Sequence, residues 1–362
     1  MNLQVRTYRE GDDNNIVELL KESFNGWPFF DINCSPIDYW RWKYQDNPNG
    51  KGIIVCAETE DKIVGISTAV PQKVKIKNDV YLGFYATDAA VHPDYRRMGI
   101  NNKMRELREK LWTKANAKFV YGITVNPIVV NSSVIKKIFP HHLTQRINYP
   151  IRIKNISIQL QQKEIVNRLK TRLWFYKEKT INRIKTLKIG SREVGNLQIS
   201  DIKEFDERWK EFWSKVRTNY FFIFERSNSY LNWRYCDKRS GDYKVRIIEE
   251  DNKILGYSVL KINKLEEYQK GYIVDFLTLP DRLDAAYFLV IDTIDYFDDM
   301  GINQIDFQVI KEHPYNEIFL KHGFINTEGP RWVYYDIFID GFDLNSIHGS
   351  QIHFTYGDQY GI

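Results

Sequence analysis

The chain is short of cysteine and histidine, and it has no long apolar run. Its three cysteines, Cys34, Cys56 and Cys236, are odd in number and scattered, with no metal-ligand spacing. That excludes a disulfide framework and reads as reduced thiols. The seven histidines include one adjacent pair, His141-His142, and no Cys/His cluster, so no metal site is expected. Nothing approaches the roughly eighteen consecutive apolar residues of a membrane-spanning helix. Stable membrane insertion is therefore not expected. The start, Met-Asn-Leu-Gln-Val-Arg-Thr-Tyr, lacks an apolar signal core, which makes a cytoplasmic location the expectation.

A broad excess of positive charge is also missing. The net charge is +5, but residues 151–193 alone hold 12 Lys+Arg against 3 Asp+Glu. Without that segment the chain is slightly acidic, so a basic nucleic-acid binder is excluded. What the chain has in quantity is aromatic and apolar side chains, 15% and 43% of residues, which suits packed cores rather than disorder. Its 362 residues leave room for two domains.

The segment Asp88 to Met104 is the most telling. An apolar, β-like run, Tyr85 to Val91, ends at His92-Pro93. A short loop with Arg96, Arg97 and Gly99 follows, and a helix is predicted from about Asn101. That helix rests on Met104, Leu107, Leu111 and Ala115 at three- and four-residue spacing. The first turn of a helix carries N–H groups without intrahelical partners, and its dipole favours an anion. Gly99 allows close backbone approach and the two arginines bring charge, so the pattern suits a phosphate.

An internal repeat is the second strong feature. Trp42, Tyr44 and Asp46 align with Trp233, Tyr235 and Asp237 at an offset of 191, and Glu58, Lys62 and Gly65 align with Glu249, Lys253 and Gly256. Both later parts read as a hairpin, turning at Glu60-Asp61 in the first copy. With four residues lost, Asp88 and Pro93 fall on Asp275 and Pro280. Two copies of one α/β unit are expected, within 1–150 and 195–362, joined by a basic helical connector over 151–194. The second copy has neither arginine pair nor glycine after Pro280, so cofactor binding is expected in the first copy alone. The connector, with Ile165, Leu169, Leu173, Ile184 and Leu187 on a basic background, suits packing, contact with an anionic membrane surface or help with a ligand's phosphates. The end of the chain, Gly341 to Ile362, reads as an extended tail without assigned chemistry.

The motif Arg96-Arg97-Met98-Gly99-Ile100-Asn101 resembles the diphosphate loop of the GNAT superfamily of acyl-CoA-dependent N-acyltransferases, with Asn101 in place of the second small residue. The resemblance implies an α/β fold made of tandem GNAT units, each a mixed, mostly antiparallel sheet flanked by helices. It implies acyl-CoA as donor, held by residues 96–101 and by the backbone of Ala89, Ala90 and Val91, where strands four and five splay apart. Asn131 stands where many family members have an asparagine beside the cofactor. The tyrosine that usually follows seven residues later is replaced by Ile138. Asp88 is the nearest candidate base, although it could instead bond a loop; His92 is a second titratable group that is more often structural. The acceptor is expected beside Asn25 to Asp31, where Trp27, Phe29 and Phe30 could stack on it or belong to an aromatic core. Among tandem members the chain is most similar to enzymes of the anthrose-pathway type, which N-acylate nucleotide-linked amino sugars such as a dTDP-linked amino-dideoxy sugar for surface polysaccharides. A different amine acceptor, or acyl-CoA binding without catalysis, is the alternative. The oligomeric state is not legible.

Overall fold

The computed structural model describes residues 3–360 except Phe29, Asp61, Pro127, Ile128, Val130, Ser132, 163–195, 265–268 and Pro330. The predicted connector helix over 165–188 and the turn residue Asp61 thus lie outside the described residues. The chain forms two compact units. One comprises Met1–Gln145, Ser229–Gly241 and Pro330–Ser346; the other comprises Arg146–Asn228, Asp242–Gly329 and Ile347–Ile362.

The sheet of the first unit contains β1 (Leu3–Thr7), β2 (Ile53–Thr59), β3 (Lys62–Ile76), β4 (Asp79–Val91), β5 (Phe119–Thr124), β6 (His141–His142) and β16 (Trp332–Ile337). Their order is β1-β2-β3-β4-β5-β16-β6, and β4–β5 is the one parallel pair along that path. Helices α1 (Asp13–Phe24) and α2 (Pro36–Tyr44) follow β1, and α3 (Ile100–Lys114) makes the β4–β5 crossover. Ser35 caps α2 by accepting from the Asp38 N–H at 3.1 Å, with Pro36 opening the helix. Asn25 ends α1 in the left-handed region, at φ 53°. The apolar stripe of α3 packs Ile100 and Met104 on Val55, Ala57 and Val64.

The second unit repeats this plan. Its strands are β7 (Ile147–Ile153), β8 (Gln198–Ile202), β9 (Phe222–Phe224), β10 (Lys244–Glu250), β11 (Lys253–Asn263), β12 (Lys270–Thr278), β13 (Gln304–Phe307), β14 (Val309–Ile310) and β15 (Ile325–Thr327). The main sheet runs β14-β7-β13-β12-β11-β10-β8, again with one parallel pair, β12–β13, bridged by the helix Leu283–Asp299. Leu289, Val290, Phe297, Phe307 and Phe319 make its principal core.

The duplication is visible in the strand register. In the first hairpin Ala57 faces Gly65, and a bulge then sets Glu58 opposite Ile63. In the second, Ile248 faces Gly256, and a bulge sets Glu249 opposite Ile254. Every one of these positions differs by 191. The repeated aromatic blocks also meet: within the first unit the Trp42 and Trp233 rings stack at 4.6 Å, and each indole N–H donates to the other's backbone oxygen, at 2.9 and 3.2 Å. Such a stacked pair contributes about 0.5–1.5 kcal/mol beyond its burial.

The units do not follow the linear division at 150 and 195. The last strand of each copy sits in the other unit: β7 pairs with β13, and β16 pairs with β5. Both units are mixed, mostly antiparallel sheets with flanking helices, as the α/β reading expects.

Candidate active site

The strand β4 is irregular near its C-terminal end. It runs parallel to β5 from Gly83↔Phe119 to Ala86↔Gly122, where the pairing stops, yet β4 continues to Val91. On its other edge the register slips between Ile66↔Ala90 and Thr68↔Thr87. Of the two β4 residues inside that slip, Asp88 and Ala89, Asp88 has φ 44°, a left-handed conformation that costs a non-glycine residue about 1–3 kcal/mol. Three side chains hold it. Lys43 Nζ donates to Asp88 Oδ2 at 2.7 Å, the Tyr44 hydroxyl to the same oxygen at 2.6 Å, and Trp27 Nε1 to Oδ1 at 3.3 Å. Tyr44 also lies 2.8 Å from Thr68 Oγ1, which donates to the Thr87 carbonyl at 2.6 Å. The kink is thus tied to α2 and to the neighbouring strand.

Burial opposes the charge on Asp88, but the Lys43 ammonium and the hydrogen bonds outweigh it, so the carboxyl stays below its ordinary range. Burial lowers the Lys43 pKa and raises that of Tyr44 well above normal, the second effect reinforced by the Asp88 charge. Tyr44 therefore remains a donor at neutral pH.

Past Val91 the chain turns through His92 and a single 3-10 turn, Pro93–Tyr95. His92 Nδ1 accepts from the Asp94 N–H at 3.3 Å, capping that turn. Arg96 folds back, its Nε donating to the Val91 carbonyl at 3.1 Å. Arg97, at φ 65°, Met98 and Gly99 are exposed, and Gly99, at φ 73°, caps α3. The α3 N-terminus, with Ile100 and Asn101 in its first turn, thus opens beside an exposed loop bearing two arginines, where unpaired N–H groups favour an anion.

Of the other expected site residues, Ala89 is exposed on β4, Ala90 is buried and Val91 is half-buried. Asn131 is exposed in a turn before the short helix Ser133–Ile138, and Ile138 packs against the core of Phe84, Trp112 and Phe139. Trp27 is buried, edge-on to Tyr39 and Trp40; Phe30 is half-buried and edge-on to Tyr39. Phe29 lies outside the described residues. Sequence reasoning read Trp42 and Tyr44 only as positions of the repeat and so missed Lys43 and Tyr44 as partners of Asp88. The usable signal was a cation between two aromatics in both copies, Lys43 in one and Arg234 in the other. Reasoning from periodicity also missed Arg108, which shares the buried stripe of α3 with Ile100, Met104 and Trp112.

The second unit keeps the parting strands but differs in what surrounds them. There β12 and β13 pair from Lys270↔Gln304 to Ile273↔Phe307 and then part. The chain's own tail spans the gap, with Thr355 Oγ1 donating to Asp275 at 3.0 Å and Gln359 Nε2 to Gln308 at 2.7 Å. Arg226 joins Asp275, at 3.0 Å, to Asp358, at 2.9 Å. Where the first copy has its glycine loop, Arg282 pairs with Asp284 and Glu250, so an acidic group already stands in the first turn of the helix Leu283–Asp299. Among the described residues no cluster of metal-ligating side chains occurs, and no helix is long and apolar enough to cross a membrane.

Comparison with known proteins agrees with this geometry. No curated protein matches the sequence. Among solved structures, a probable N-acyltransferase from Enterococcus faecalis V583 is similar at 12% identity and TM-score 0.60, over 93% of this chain and 73% of that one. Saccharomyces cerevisiae N-myristoyltransferase with bound myristoyl-CoA is similar at 11% identity and TM-score 0.60, over 98% of this chain and 84% of that one. At such identities these likenesses establish the fold. The acetyltransferase (GNAT) domain family matches residues 4–144. Residues 4–144 thus match an acetyltransferase (GNAT) domain, and the two units together have the fold of these solved structures.

Proposed function

We propose that the first unit binds acyl-CoA and transfers its acyl group to the amino group of a nucleotide-linked amino sugar. The observation that carries the cofactor half is one conjunction: a strand that leaves its parallel neighbour at a kink, followed by a glycine loop at a helix N-terminus. The CoA diphosphate is assigned to the N–H groups from Arg97 to Asn101, with Arg96 and Arg97 supplying charge. The pantetheine arm lies along Ala89–Val91, where β5 no longer pairs. A backbone N–H of the kink then faces the thioester oxygen and stabilises negative charge as the amine attacks. The C–N bond forms, the C–S bond breaks, and the amine's proton leaves to water. The thiolate departs without a tyrosine acid, in keeping with Ile138 at that place.

Asp88 is assigned a positioning role rather than that of base. Three donors and a lowered pKa make its carboxylate a poor acceptor for an ammonium proton at neutral pH. Its work is to hold the kink that aims the backbone. Phe30 is assigned to the acceptor, as is Phe29 by its place in the sequence, and Trp27 supports the kink through its N–H. The amino-sugar acceptor is supported by the sequence resemblance and by the second copy, which keeps the fold while losing the cofactor loop. Remote contacts with a nucleotide can fix the amine against the thioester and raise turnover.

Release of CoA thiol, measured with a panel of amines, tests this. A nucleotide-linked amino sugar is expected to exceed the free sugar by over tenfold in kcat/KM, at least about 1.4 kcal/mol in the transition state. Equal efficiency on the free sugar would remove the nucleotide, and activity confined to a peptide or polyamine would overturn the acceptor class.

A further inference from the structure

Arg108 occupies a position where an arginine is costly. It keeps only 6% exposure, in line with Ile100, Met104 and Trp112 on the buried face of α3. Its Nη1 donates to Ser67 Oγ at 2.9 Å, its guanidinium lies 5.1 Å from the Trp112 ring, and its Nε finds no acceptor. Among the described residues no carboxylate lies within ion-pair distance of it: Glu109, next on the helix, favours its charge from farther away while facing Arg105 at 3.7 Å. Lys43 and Arg226, buried to a similar degree, each face a carboxylate. Burial draws the Arg108 pKa down to about 10, so the group is still a cation at neutral pH. A buried cation with one neutral partner calls for an anion.

Its location says where that anion comes from. Ser67 lies between Ile66, paired with Ala90, and Thr68, paired with Thr87, so it stands opposite the kink of β4. Arg108 is thus on the α3 side of the sheet where β4 parts from β5. On that side the last β5 residue paired with β4 is Gly122, covered by the Tyr334 ring so closely that a Cβ there would meet it at 2.4 Å. Eight residues separate Arg108 from the helix start at Ile100, about 12 Å at 1.5 Å per residue. A diphosphate at that start, with its arm along β4, brings the thioester end of the cofactor toward Arg108.

We infer that Arg108 and Ser67 form a binding site for an acidic acyl group, so that the donor is the CoA monothioester of a short dicarboxylic acid. The inference rests on the first unit being the acyl-CoA site. The guanidinium takes the free carboxylate through two parallel N–H donors, Ser67 fixes its orientation, and the transferred group leaves the product amide with a terminal carboxylate.

Calorimetry on the full chain tests the site with CoA alone and with two matched pairs: succinyl-CoA against butyryl-CoA, and glutaryl-CoA against pentanoyl-CoA. Within at least one pair the acidic thioester is expected to bind about tenfold tighter, a charge-assisted contact's worth. In Arg108→Met that preference should vanish or reverse, while CoA binds within about twofold of wild type. The wild-type pairs decide the matter even if the variant does not fold. Normal CoA binding with no acidic preference in either pair would overturn this site alone. Absence of binding by CoA and all four thioesters would overturn the cofactor reading and this site with it.

Discussion

In both units the strand that parts from its parallel neighbour carries an aspartate, half-buried in the first and buried in the second, that faces a buried cation. Among the described residues, the chain's own tail bonds that aspartate in the second unit only. In the first unit Asp88 answers to Lys43 on α2, and the kinked strand runs into a glycine loop with exposed arginines. In the second, Asp275 answers to Arg226 and to the tail through Thr355, while Asp358 on that tail takes the other side of the guanidinium. Both copies keep a register slip on this strand, between Ile66 and Thr68 in one and between Val259 and Leu260 in the other, because the hairpin before it fixes which residues face one another. The left-handed φ belongs to Asp88 and not to Asp275. What diverged is the occupant of the gap. A gap closed by hydrogen bonds from its own chain gains stability and loses room for a pantetheine arm. An open one keeps the room and leaves backbone donors for a ligand.

The largest expected effect separates these two uses. Arg226→Met would leave Asp275 and Asp358 buried together without their cation, and removing one partner of a buried pair costs about 3–5 kcal/mol. Thermal denaturation should show that loss, whereas CoA affinity, measured where the protein is folded, should stay within about twofold. Lys43→Met should also destabilise the chain, but here CoA-thiol release should fall as well if the proposed site holds, since the kink loses its anchor. If Arg226→Met weakened CoA binding as much as Lys43→Met does, the division between a structural and a cofactor-binding unit would collapse.

Gly99→Val probes the loop that one unit has and the other lacks. No atom lies within 4 Å of where a Cβ would stand, so the obstacle is conformational: φ 73° is strained for any side chain and worst for a β-branched one. Distorting the α3 N-terminus should cost CoA about a hundredfold in affinity, roughly 2.7 kcal/mol. Calorimetry of the wild type should give one CoA per chain. A second equivalent, or an unchanged Gly99→Val isotherm, would show that the loop is not what distinguishes the units.

Much of this architecture was legible because it is local. The Val91-to-Gly99 passage, the α3 start within one residue and the repeat offset of 191 all appear as predicted. The exchange of last strands was not legible, because β7 and β16 suit either sheet by pattern and only long-range pairing decides. The tail was read as extended and featureless; in fact His353, Thr355 and Asp358 are buried, which a polar composition conceals. Periodicity placed Met104, Leu107 and Leu111 on the inner face of α3, yet Leu107 and Leu111 are only partly buried while Arg108 is inside. A polar residue at a core position fits no hydrophobic pattern. Such mismatches are where a site is to be sought.

The smallest effect concerns how the two units respond to acid. In the second unit burial and the nearby Arg226 charge push His353 down to about 4, while burial, with Asp275 adding to it, pushes Asp358 up to about 6. Ordinary values are about 6.5 and 3.9. From pH 4 to 6.5 the unfolded His353 binds a proton that the folded ring refuses, so its contribution to stability rises with pH. From pH 3.9 to 6 the folded Asp358 keeps a proton that the unfolded carboxyl has lost, so its contribution falls with pH. Across their shared window the two slopes oppose, and the wild type should change little. Asp358→Asn leaves the histidine slope, so stability should climb with pH relative to wild type, by about 1–2 kcal/mol over that window. His353→Gln should tilt the other way. Asp88 in the first unit and its counterpart Asp275 in the second are both lowered, so the contribution of each is complete above its unfolded value and is lost only as pH falls through its folded one. Melting curves from pH 4 to 7 for both variants decide: equal slopes would mean that the tail's polar plug does not titrate as a unit.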